Sequence, residues 1–127
     1  MNKYDIFLIK KEIYNIYEKN PQSLFKTLYN LKNMNKNDLT LGLSIYNEIC
    51  DIINRKKIDK YMNILTIKRK TKNKYLINKN IIIIKPSRII LKNEQIDNNI
   101  IYILNNYSKY LFACNFKNKE YYWLNQL

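Results

Sequence analysis

The spacing of apolar residues switches from helical to strand-like and back along this sequence, and that alternation constrains the fold more than any other feature. A short aromatic and β-branched stretch, KYDIFLI (Lys3 to Ile9), reads as a buried strand. Helical spacing follows in KKEIYNIYEKN until Asn20-Pro21 interrupts it, and Pro21 suits the first turn of a second helix. That helix, PQSLFKTLYNL, sets Leu24, Leu28 and Leu31 on one stripe with Phe25 beside it. Beyond the polar loop NMNKND, Asp38 can cap a third helix running to about Ile53. Leu41, Ile45, Ile49, Ile52 and Ile53 give that helix its expected buried stripe.

After NRKKIDK the period shortens. YMNILTIKRK alternates in part, KYLI and IIIIK are rich in β-branched residues, and Pro86 breaks the run before RIILK. Three or four strands are expected here, antiparallel because the connections are too short for crossover helices. NEQIDNNIIYILNNYS returns to helical spacing, with Ile96, Ile100, Ile103 and Leu104 as its stripe. YLFACNF and EYYWL then read as two strands joined by a tight polar turn. The expected fold is α+β: a single domain over residues 1–127, with a mostly antiparallel sheet packed against three to four helices.

Charge enters at the question of partners. The formal net charge of +13 points towards a phosphate-rich partner. Composition weakens that inference, because Ile, Asn, Lys and Tyr make up 75 of the 127 residues and all four have A/T-rich codons. Arginine, the better reader of phosphates and base edges, stands only at Arg55, Arg69 and Arg88. The run Lys68, Arg69, Lys70, Lys72 and Lys74 has two readings. It is a nucleic-acid contact in a small basic DNA- or ribosome-associated protein, or a solvated strand edge whose lysines discourage edge-to-edge pairing.

Several chemistries lack their residues. There is no histidine to serve as a base near neutral pH, no carboxylate pair and no Gly-rich phosphate loop. Asp5 and Glu120 read as isolated acids with surface or turn roles. Cys50 and Cys114 sit far apart among apolar neighbours and read as buried, reduced thiols rather than zinc ligands. The longest pure apolar run, Ile81 to Ile84, is far short of the roughly 20 residues a membrane helix needs. Lys10 and Lys11 break up the only candidate leader. The expectation is a cytoplasmic, non-enzymatic binding protein with no cofactor, metal, membrane or small-molecule substrate.

The first helix carries the candidate binding residues. At about 100° per residue, Ile13, Tyr14, Ile16 and Tyr17 span an apolar arc of about 160°, wider than the roughly 100° stripe that faces a core. Two readings fit this surplus. The tyrosines cover the core edge with their hydroxyls in water, or part of the arc is kept for another polypeptide.

YLFACNFKNKEYYWLN resembles the C-terminal segment of the sporulation inhibitor of replication (SirA) family, through Leu111, Phe112, Ala113, Phe116, Tyr121, Trp123, Leu124 and Asn125. YDIFLIKKEIYNIY is similar to that family's opening, through Leu8, Ile9, Lys10, Glu12, Asn15 and Tyr17. The segment from about Asn33 to Arg88 aligns only loosely. The resemblance implies a regulator of spore-forming Firmicutes that binds the N-terminal domain of the replication initiator DnaA and blocks initiation during sporulation. It implies no enzyme activity, no cofactor and no direct need for nucleic acid. The family's contact pair, an aromatic and a tyrosine four residues apart, falls on Ile13 and Tyr17, with Ile13 standing where the family has phenylalanine. The third helix is implied as a further contributor. Trp123, Phe112 and Phe116 are expected to pack the sheet against its helices.

Overall fold

β1 (Asn2–Leu8) runs along the middle of the protein and organises everything around it. In a computed structural model describing residues 1–63, 68–71, 73–94 and 97–127, β1 pairs antiparallel with β5 (Ile89–Asn93) and with β6 (Leu111–Asn115). The sheet extends from β5 through β4 (Asn80–Ile84) and β3 (Lys74–Ile77) to β2 (Lys68–Thr71), and from β6 to β7 (Glu120–Trp123). The spatial order is β2-β3-β4-β5-β1-β6-β7, with every pairing antiparallel. The described residues also form five α-helices: α1 (Lys11–Tyr17), α2 (Pro21–Lys32), α3 (Leu39–Ile49), α4 (Arg55–Met62) and α5 (Asn98–Tyr107). The fold is α+β, as the alternating periods predict.

Side chains alternate across a strand, so β1 feeds two cores. Tyr4 and Ile6 join β3, β4 and β5 under α4 and α5, with Ile58, Met62, Ile100, Ile103 and Leu104 as the helical contribution. Phe7 and the following Ile9 face the other way, into a cluster with Leu24, Phe25 and Leu28 of α2 and Ile49 of α3. Phe112, Phe116 and Trp123 belong to this second cluster, so the distinctive hairpin packs the sheet against its helices. Phe25 stacks on Tyr121 of β7 with ring centroids 4.8 Å apart.

A single glycine leaves the turns to other residues. Asn78 takes positive φ in the β3–β4 turn, which asparagine tolerates, and Lys119 does so at φ 55° before β7. Asp97 caps α5 by accepting from Asn99 N at 2.7 Å, and Asn54 caps α4 by accepting from Lys57 N at 3.1 Å.

Five expectations need correcting. The third helix is expected to end at about Ile53 and YMNILTIKRK to alternate in part, whereas Arg55–Met62 form the short helix α4, with Ile58 and Met62, four apart, buried in the core. α3 stops at Ile49, since Cys50 turns extended to bridge Ile9 of the β1 extension. Asp38 stands at its N-cap position without a side-chain cap bond, and Leu41 and Ile52 are exposed rather than in the buried stripe. Asp5 is not a surface acid: it is buried and ion-paired with Arg88, Nε to Oδ1 2.9 Å. Glu120 is exposed, Cys50 and Cys114 are buried free thiols, and Ile96 and Lys72 lie outside the described residues. No helix among the described residues is long and apolar enough to cross a membrane.

Candidate docking surface

α1 is short, so its orientation depends on what grips it. At its start, Lys10 N donates to Ile49 O and Ile9 N donates to Tyr110 O, both at 2.9 Å. The helix is thereby wedged between the end of α3 and the approach to β6. Tyr14 grips the other side. Its ring meets Trp123 edge to face at 4.7 Å and Tyr110 at 5.0 Å. Its hydroxyl donates to Glu18 Oε2 at 2.5 Å and accepts from Asn125 Nδ2 at 3.1 Å, and Asn125 also donates to Lys109 O at 3.0 Å. Burial, reinforced by the Glu18 bond, pushes the Tyr14 phenol above its ordinary pKa.

That grip fixes which residues face out. Of the four apolar residues in the wide arc, Tyr14 is only 9% exposed and belongs to the core, so it positions the helix and offers no docking contact. Ile16 lies about 160° around the helix from it and is 65% exposed. Ile13 and Tyr17 lie between them, half-buried and packed against the second core. The result is an apolar flank graded from Tyr17 through Ile13 to Ile16, with Lys11 and Asn15 exposed on the opposite flank and Glu12, four residues before Ile16, exposed beside it. Ile13, Ile16 and Tyr17 are therefore brought together, and the surplus inferred from spacing is concentrated in Ile16.

The sequence understated a second surface. Leu39, Leu41 and Leu43 of α3 are all exposed, and a concave slot of about 470 Å³ separates α3 from α2 and the sheet. The apolar residues of LTLGL surround the helix rather than forming one stripe, which is the signal that part of them must stay outside. The basic run, by contrast, falls on β2, the edge strand of the sheet, and on the adjoining β3. No known family model matches the chain, and no curated protein matches it either.

Proposed function

We propose that this protein is a non-enzymatic inhibitor of DNA replication initiation during sporulation, acting by docking the outer flank of α1 on the N-terminal domain of DnaA. The observation that carries the reading is the graded apolar flank of Ile16, Ile13 and Tyr17 on a helix clamped at both its start and its inner face. A rigid apolar patch loses little conformational freedom on binding, so its buried area converts efficiently into affinity. The similarity of both chain ends to the SirA family supplies the partner. Those two ends are adjacent in space, since β1 pairs with β6 and β6 with β7, so the similarity covers one contiguous structural unit.

Inhibition would be steric. Occupation of the initiator domain by α1 excludes the contacts that domain needs for self-association or for its loading partners. The net charge of +13 favours encounter with an acidic partner and makes the association rate fall with salt. Calorimetric titration of the purified chain into the isolated N-terminal domain of its host's DnaA tests the reading. A complex of micromolar or tighter affinity supports it, whereas no detectable heat or complex at about 100 μM removes it.

A further inference from the structure

The slot between α2 and α3 is a second surface with its own chemistry, and Ile13, Ile16 and Tyr17 do not line it. Its floor is apolar: Phe7 and Phe116 meet near edge-on, 6.2 Å between ring centroids, beside Leu28. Its walls are Leu31 and Met34 on one side and Leu39 and Leu43 on the other. Leu39 and Leu43 lie one turn apart on the same face of α3, and they are 62% and 61% exposed. Gly42 lies between them, and a Cβ there would come within 2.8 Å of Met34 Sδ, so glycine lets α3 close against the end of α2 while the slot opens beside it.

The rim is cationic. Lys3, Lys32 and Arg88 line the slot, and the single carboxylate among the lining residues, Asp5, is taken by Arg88 at 2.9 Å. Lys32 Nζ is held 4.7 Å above the Phe116 ring, at the boundary between the apolar floor and the rim. Past Phe116 a smaller depression adds Lys117 to Lys3 and Lys32. The slot therefore has a leucine end and a lysine end.

We propose that this slot docks an acidic amphipathic helix of another polypeptide, with apolar side chains at i, i+3/4 and i+7 on Leu39 and Leu43 and carboxylates on Lys3 and Lys32. Four occupants can be compared on these features. Nucleic acid satisfies the lysines but brings no apolar face to cover two exposed leucines. A second copy of this chain, at +13, brings like charge to a cationic rim. A bilayer prefers a protruding apolar face, whereas here the leucines wall a concavity. An acidic helix laid along the slot matches both ends, and the stretch from Leu28 in α2 to Met34 just beyond it accommodates about two helical turns.

The probe is a fluorescein-labelled 14-residue peptide with Leu at i, i+4, i+7 and i+11 and Glu and Ala elsewhere, titrated with the full chain and followed by anisotropy. A composition-matched scramble is the control. Binding at micromolar concentration is expected, weakened at least tenfold by Leu43→Glu and by Lys32→Glu, and weakened by raising salt from 50 to 300 mM. Replacing two Glu of the peptide by Lys should restore binding to the Lys32→Glu variant. Both substituted residues are exposed, and an unchanged melting temperature confirms that each variant is folded. Ile16→Glu should leave peptide binding intact, which separates this site from the initiator contact. Equal binding of the scramble, insensitivity to Leu43→Glu, or no binding at 200 μM would overturn the proposal. So would a concentration-dependent dimer abolished by Leu43→Glu, or the same variant's loss of binding to phosphatidylglycerol vesicles.

Discussion

Trp123 meets Tyr14 edge to face, with ring centroids 4.7 Å apart and planes 77° apart, and this contact turns α1 so that Ile16 faces outward. The two residues come from opposite ends of the chain. Asn125 completes the clasp by donating to both the Tyr14 hydroxyl and Lys109 O. The hairpin that makes the sequence distinctive thus positions a surface to which it contributes no contact.

Loosening the clasp should be measurable in two steps. Tyr14→Phe keeps the ring contact and removes one hydroxyl, so it should cost about 1 kcal/mol of stability. Trp123→Ala removes a fully buried indole and should cost about 3–5 kcal/mol. Asn125→Ala should speed amide exchange across α1 while leaving β3, β4 and β5 protected. Uniform acceleration across the sheet would show that Asn125 serves global stability instead.

The Asp5–Arg88 pair spans the groove side of β1 and the loop before β5. Arg88→Leu leaves a buried carboxylate unpaired. With the Arg88 side chain 33% exposed, the cost should sit below that of a fully buried pair, at about 2 kcal/mol. Adding Asp5→Val to Arg88→Leu should recover part of the loss. A double variant less stable than the single one would contradict the unpaired charge as the cause.

Alkaline pH should destabilise the protein through its buried acids. Burial pushes the Cys50 thiol from 9.0 up to about 12, with Asp51 adding to the shift, and pushes the Tyr46 phenol from 10.0 up to about 12. Below about pH 9 both groups are protonated in folded and unfolded chains, so stability is at its full value. Above it the unfolded chain ionises first, and stability falls between about pH 9 and 12. Net charge also changes at alkaline pH, so the comparison is with Cys50→Val. The urea midpoint of that variant should fall less steeply between pH 9 and 11, and an identical slope would remove Cys50 as a contributor.

Lys119 holds φ at 55°, a left-handed conformation that costs a residue with a Cβ roughly 1 kcal/mol. Lys119→Gly should raise stability by about 0.5–1 kcal/mol in denaturant titration. A loss would mean that the lysine side chain makes a compensating contact.

The fold was largely legible because period carries it. KYDIFLI, the strand block ending at Asn93 and the final hairpin all declare themselves by β-branched and aromatic content, and the sheet pairs them as neighbours. What remained hidden depends on distance along the chain or on rotation about an axis. Asp5 looked isolated because its partner Arg88 lies 83 residues away. Leu41 fits a helical stripe as well as Ile49 does, and spacing alone does not say where on that stripe the core is centred. The first helix shows surplus apolar surface in its sequence, but distant Tyr110, Trp123 and Asn125 decide that Tyr14 turns inward and Ile16 outward. α4 is not legible because only Ile58, Met62 and the partly buried Tyr61 anchor an otherwise polar segment.

The central claim is that the outer flank of α1 is a docking face for the DnaA N-terminal domain. The most direct test is calorimetry of that domain against the wild-type chain, Ile16→Glu and Tyr17→Ala, with melting temperatures measured alongside. The account predicts a micromolar or tighter complex, loss of binding in Ile16→Glu at unchanged melting temperature, and about 2 kcal/mol weaker binding in Tyr17→Ala. A complex whose affinity is indifferent to both substitutions, or no complex at about 100 μM, would contradict it.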